Sequence, residues 1–222
     1  MTSRFRDGPV ANYVAPARVQ PFMIHVALSL TLALSPATVT EIPKNFLLME
    51  RAARTPLSST DAAELSYEIS DKLTTPLELN PCEHRRAVDG GRLAARTITL
   101  GTSAPSYSSE QLIVYKSPRA AHAALTRLRA EVKRCGRKRD PSSRELSIQW
   151  RTNKVKVGDE ALGMGYQTRQ DGYEDPKGTG LVARKGSALM IYTTDEGDYF
   201  PGGLTKQARK MAAKVCKLPG VC

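Results

Sequence analysis

Histidines, serines and paired acids are the residues that would give this chain chemistry. Beyond residue 38 it has two histidines, His84 and His122. His122 falls in a stretch of helical periodicity beside Ala121 and reads as a surface side chain. His84 lies in the polar run Cys82-Glu-His-Arg-Arg86, where an imidazole is able to act as a general base. No nucleophile elbow accompanies it, because Gly101-Thr-Ser103 and Gly186-Ser-Ala188 both lack the second glycine of Gly-x-Ser-x-Gly. A secreted hydrolase using His84 is the enzymatic alternative, since triads are scattered in sequence. Asp159 and Glu160 are adjacent at a strand start and point to opposite faces, so they do not converge on one substrate. Asp195-Glu-Gly-Asp198 lacks the spacing of a calcium loop. Gly163-Met-Gly165 opens no helix and is not a phosphate loop; it marks a bulge or close packing. There is no Cys-x-x-Cys, and the histidines lack ligand spacing. The reading is a non-enzyme with no catalytic residue, no metal and no cofactor.

Two binding chemistries remain. Gln111, Tyr115, Trp150, Tyr166 and Tyr192 are candidate lining residues of a ligand site on the sheet face or cleft opposite the helices, since rings with polar tips suit mixed sites. The second is a basic run: Arg127, Lys133, Arg134, Arg137, Lys138 and Arg139. On a helix, 127, 134 and 138 fall near one side with 133 and 137 adjacent, a surface able to hold an anionic polymer. Stacking aromatics for nucleic acid are missing apart from Trp150, so no nucleic acid is expected.

The elements that must position these residues follow from periodicity. Residues 38–57 form an N-terminal arm whose Phe46, Leu47, Leu48 and Met49 dock on the body. A helix is expected from Ala62 to Leu73 behind the caps Ser58-Ser-Thr-Asp61. Strands are expected at Arg92–Leu100 and Glu110–Lys116. Ser117 caps and Pro118 opens a helix carrying Ala121, Ala124, Leu125, Leu128, Val132 and Cys135 at helical spacing, stopped by Gly136. Residues 137–144 read as a charged loop. Strands follow at Glu145–Trp150, Lys154–Val157 and Ala161–Arg169. A hairpin spans Gly180–Arg184 and Ala188–Thr194, and a last helix runs from Leu204 to Leu218. Short turns between the later strands demand antiparallel pairing. The fold class is α+β: a mostly antiparallel sheet with helices packed on one face.

Residues 1–37 read as a signal peptide. Arg4, Arg6 and Arg18 precede an apolar run from Phe22 to Leu34, and Ser35-Pro-Ala37 supplies the small residues of a cleavage site. A run of about 13 residues is short for a membrane span, which takes roughly 20. Residues 38–222 then form a single exported domain, with no stable membrane span expected after cleavage. The whole chain has 222 residues, 33 basic against 22 acidic, net +11. Removing three arginines and one aspartate with the leader leaves net +9. Cys82, Cys135, Cys216 and Cys222 all lie beyond the leader, an even count that reads as two disulfides formed in an oxidising compartment. Three pairings are open. Cys82–Cys135 with Cys216–Cys222 is favoured, because the first holds a helix end to the body and the second ties the C-terminal tail to its own helix. The expected location is secreted or extracellular, with association with the cell envelope as the narrower expectation. The expected partner is an extracellular ligand or envelope component.

Ile42-Pro-Lys-Asn-Phe46, Pro81-Cys82, Ser117-Pro118 opening a helix that ends in Cys135, and Val157-Gly-Asp-Glu-Ala161 before a Val-Ala-Arg-Lys-Gly hairpin together carry a resemblance. The chain resembles actinobacterial exported proteins related to the extracellular sensor domain of mycobacterial serine/threonine kinases. That resemblance implies an antiparallel sheet with flanking helices, two disulfides and a ligand cleft. It brings no catalytic residue. The chain departs from the kinases in having no kinase domain, and it has no lipid-anchoring cysteine near the cleavage region.

Overall fold

The computed structural model describes residues 39–53, 65–102, 107–139, 147–170, 173–195 and 203–222. The chain divides at Ser35/Pro36, and all of these residues lie in the second unit, Pro36–Cys222. The expected leader lies outside the described residues. Among the described residues, no helix is long and apolar enough to cross a membrane.

The elements are α1 (Leu48–Ala52), β1 (Leu65–Ser70), β2 (Arg92–Thr102), β3 (Tyr107–Tyr115), α2 (Pro118–Cys135), β4 (Arg137–Arg139), β5 (Ser147–Asn153), β6 (Glu160–Gln170), β7 (Tyr173–Lys185), β8 (Ala188–Thr194) and α3 (Gly203–Val215). The strands form one sheet in the order β1-β2-β3-β8-β7-β6-β5-β4, antiparallel at every pairing. Two meanders are thus joined by α2, which carries the chain from β3 to the far edge so that β4 to β8 can return beside it.

The α+β class, the antiparallel sheet and both disulfides, Cys82–Cys135 and Cys216–Cys222, are as expected. The layering is not: the helices cover both faces. Leu112 and Val114 of β3, and Met190 and Tyr192 of β8, pack with Met211 and Val215 of α3 and with Leu47 and Met49 of the arm. Their neighbours Ile113, Tyr115, Leu189 and Ile191 pack with Leu125, Leu128 and Val132 of α2. Successive side chains of a strand point to opposite faces, so β3 and β8 are buried on both sides. That is why Leu112–Tyr115 and Ala188–Tyr192 are apolar runs without alternation.

α2 begins where its cap chemistry requires. The Ser117 hydroxyl accepts the Ala120 N–H at 3.2 Å, and Pro118 occupies a position whose N–H has no helical partner. Two other segments differ from expectation. Leu65–Ser70, expected to be helical, is the edge strand β1, paired with β2 from Leu65↔Thr102 to Ser70↔Thr97; tertiary pairing overrides the capping signal upstream. Arg137–Arg139 is strand β4 on β5 rather than loop, which also takes Arg137 and Lys138 off the helix. Residues 154–157 form no strand.

Polar groups lock the layer of α1 and α3 to the sheet. Glu110 of β3 is 1% exposed. Its carboxylate accepts the Met49 N–H at 2.7 Å and the Tyr192 hydroxyl at 3.0 Å. Glu50 of α1 accepts the Leu47 N–H at 3.0 Å and the Arg96 guanidinium at 2.5 Å. Burial pushes the Glu110 carboxyl from 4.5 up to about 7, only partly offset by those hydrogen bonds. A carboxyl that holds its proton more tightly in the folded state stabilises the fold most below 4.5, and that stabilisation is lost as pH rises through 7. Stability to urea is expected to fall by up to about 3 kcal/mol from this group between pH 4.5 and 8. Glu110→Gln should remove that component, so the wild-type-minus-variant difference should shrink as pH rises. A difference independent of pH would contradict the assignment.

Candidate functional site

Trp150 of β5 and Tyr166 of β6 face each other across their strand pair, with ring centroids 5.1 Å apart and planes tilted by 35°. They form one wall of a groove of about 270 Å³ on the α2 face of the sheet. The opposite wall is Glu78-Leu79-Asn80, and Tyr107, Thr193 and Asp195 close one end. Tyr107 begins β3 and Asp195 follows β8. The two are joined by the Asp195 N–H donating to the Tyr107 carbonyl at 2.9 Å.

Two glycines of β7 let groove side chains lie close against the sheet. A Cβ on Gly178 would lie 2.6 Å from the Tyr166 ring and 2.9 Å from the Thr194 carbonyl oxygen. A Cβ on Gly180 would lie 2.4 Å from Leu79. All three distances are too short for real atoms, so the bare backbone lets Tyr166 and Leu79 lie close against the sheet. The Gly163-Met-Gly165 pair, expected to mark close packing or a bulge, shows close packing at Gly163, where a Cβ would lie 1.8 Å from the Asn153 side chain.

Each acid of the groove holds a tyrosine. The Tyr107 hydroxyl donates to Glu78 at 2.6 Å, and the Tyr166 hydroxyl donates to Asp195 at 2.6 Å. Burial raises the Glu78 carboxyl, against the lowering effect of hydrogen bonds from Tyr107 and Ser109. Burial and the adjacent carboxylates push both tyrosine hydroxyls upward, so they stay protonated as donors.

The candidate lining residues divide. Trp150 and Tyr166 line the groove. Gln111, Tyr115 and Tyr192 are 0%, 1% and 0% exposed and bond within the fold. The Gln111 amide donates to the Pro76 carbonyl and the Thr97 hydroxyl, each at 3.0 Å, and accepts the Glu78 N–H at 3.1 Å. Gln111 thereby holds the wall that carries Glu78. Tyr115 donates to Asp89, which also takes the Arg92 guanidinium at 2.8 Å. Glu78, Leu79, Asn80, Tyr107, Thr179, Thr193 and Asp195 are the groove residues that sequence reasoning missed. The only available signal was an acid and an aromatic flanking breaks at Pro76 and Ser109, which is a weak one.

His84 donates its N–H to Asn80 at 2.9 Å, and its Nε2 lies 3.2 Å from Glu131. The crevice beside it, among the described residues, is lined by no serine, threonine or tyrosine. Cys82, His84 and Glu131 are close enough together to suggest a metal site. The Cys82 sulfur, however, is in a disulfide and offers no thiolate. His122 bonds Glu160 at 2.7 Å. Hydrogen bonds from His122, Arg184 and Arg129 outweigh burial and bring that carboxyl down to about 2. Arg127, Lys133, Arg134 and Arg137 are exposed. The Lys138 and Arg139 side chains lie outside the described residues.

No protein-family model matches the chain, and no curated protein matches it. Among solved structures, the extracellular domain of PknH from Mycobacterium tuberculosis is similar. It is 13% identical with a TM-score of 0.45, over 82% of this chain and 96% of that one. It is a kinase extracellular domain, the kind of protein that the sequence motifs resemble. The groove is read from this chain alone.

One disulfide reaches both walls of the groove. Cys82 lies two residues past Asn80. Cys135 precedes Gly136, whose carbonyl accepts the Trp150 N–H at 2.7 Å. The bridge closes a sequence separation of 53 residues, worth about 4 kcal/mol by loop entropy. A Cys82→Ser, Cys135→Ser double variant should lose that order of stability in urea. In its still-folded fraction, the emission of Trp150, the one tryptophan of the chain, should shift toward that of a solvated indole. Native emission in a folded double variant would show that the bridge does not set the groove.

Proposed function

We propose that the chain is an exported, non-catalytic ligand-binding protein that takes a small molecule in the groove between Glu78-Leu79-Asn80 and the Trp150–Tyr166 pair. The carrying observation is the groove itself: aromatic rings and a few fixed polar groups converge on one concavity, the composition expected of small-molecule sites. Two disulfides fit folding outside the cytoplasm. In this reading the protein works in the medium or at the cell envelope.

Export from a Gram-positive host should give an intact mass with a start near Thr38 and four thiols alkylated only after reduction. Trp150 emission, followed against a panel of extracellular small molecules, should change saturably with at least one class. Tyr166→Ala should weaken that binding about tenfold by removing one stacking face. A ligand bound equally well by Tyr166→Ala would place the site elsewhere.

A second reading has its own observation. Among the described residues, Arg127, Lys133, Arg134 and Arg137 are exposed and none is in an ion pair. This surface suits an anionic envelope polymer. Retention on a polyphosphate column should collapse between roughly 0.05 and 0.2 M salt if they act together. Retention indifferent to salt would remove this reading.

A further inference from the structure

We infer that the groove selects a cationic ligand, an organic ammonium group with an apolar body, held against the Trp150 and Tyr166 rings between Glu78 and Asp195. This rests on the groove being the ligand site and adds the class of ligand.

The charge of the groove is the first argument. The chain as a whole is net +11. Yet the groove is lined by two carboxylates and by no lysine, arginine or histidine among the described residues. Elsewhere in the fold, Glu50 faces Arg96, Asp89 faces Arg92, and Glu160 faces Arg129 and Arg184, while the buried Glu110 is held by neutral donors. Glu78 and Asp195 have neutral tyrosine hydroxyls. A phenol satisfies one lone pair of a carboxylate and leaves its charge uncompensated. The cation that completes the pattern would come from outside the chain.

The rings are the second argument. The negative face of an aromatic π-system attracts a cation within about 6 Å, tryptophan most strongly, and rings combined in a cage bind alkylated ammonium groups. Trp150 and Tyr166 supply two tilted rings and Tyr107 a third at the groove's end. Both acids draw the tyrosine hydroxyls toward themselves, which fixes those rings before a ligand arrives and reduces the ordering cost of binding. A neutral sugar would also stack on the rings, but it would leave both charges uncompensated in a partly desolvated site.

The test uses the full exported domain, Trp150 emission, and a matched pair of probes: choline and its neutral carbon isostere, 3,3-dimethylbutan-1-ol. Sodium chloride at equal ionic strength is the blank, and neutral chitotriose represents the sugars. Choline is expected to give a saturable change that the isostere does not reproduce at the same concentrations. Glu78→Gln and Asp195→Asn keep shape and acceptor while removing charge. Each should weaken choline about tenfold. Isostere or chitotriose binding as well as choline would overturn the cationic class and leave the groove standing as a ligand site. Choline binding unchanged in both charge variants would overturn it too. Silence toward all three probes would overturn the ammonium assignment. The Tyr166→Ala comparison on the wider panel then decides separately whether the groove binds anything.

Discussion

Two adjacent polar residues at the centre of β3 hold the non-sheet parts of this protein in place. Glu110 and Gln111 point to opposite faces of a strand buried on both sides. Glu110 takes the Met49 N–H and the Tyr192 hydroxyl and so fixes the N-terminal arm on one face. Gln111 takes the Glu78 N–H and gives its own N–H groups to Pro76 and Thr97, fixing the segment 76–78 on the other. Buried polar groups are costly unless bonded, so the arm and the groove wall can occupy few other positions once β3 is in place. The groove is thereby coupled to the centre of the sheet through one amide.

Burying acids in the middle of a sheet would be wasteful if hydrophobic packing could do the same work. Packing does not specify a rigid position for a segment as short as α1, a helix of five residues that is too short to be stable alone. Directional bonds from Glu110 and from the Glu50–Arg96 pair give it one. The cost is visible in the raised Glu110 carboxyl. The groove acids are related but different. Glu78 is partly desolvated too, and hydrogen bonds from Tyr107 and Ser109 offset only part of that cost, with no cation facing it among the described residues.

The sequence made some of this legible. Ser117-Pro118 before evenly spaced apolar residues is a local signal, and α2 follows it. Cysteine parity indicates two bridges and leaves three pairings open; the positions of Cys135 at a helix end and Cys222 in the tail favour the pairing observed. Trp150 and Tyr166 were legible as rings with polar neighbours, though not as partners, because their contact depends on the β5–β6 register. The two-faced cover of the sheet was written in Leu112-Ile-Val-Tyr115 and Ala188-Leu-Met-Ile-Tyr192, runs without polar alternation; reading them simply as strands missed that both faces must be covered. Gln111, Tyr115 and Tyr192 have amphipathic side chains, which suit a lining position. The same property suits a buried hydrogen bond, and periodicity does not separate the two. Tyr67 and Ile69 alternate with Ser66, Glu68 and Ser70, a strand pattern that was outweighed by the capping residues upstream.

The position of the Cys82–Cys135 bridge connects the redox state of the chain to the geometry of the groove. Its cysteines sit two residues from Asn80 on one wall and one residue before the Gly136 carbonyl that holds Trp150 on the other. Where thiols stay reduced, that connection across the groove would be missing, leaving the walls joined only through the sheet beneath them. Gln111 would still anchor Glu78, and Asn80 and His84 would keep their bonds to each other and the His84–Glu131 contact. A binding site that depends on fixed spacing between an aromatic wall and an acidic one would then form fully only after oxidation. If the groove is the ligand site, an oxidising compartment supplies the bond that completes it.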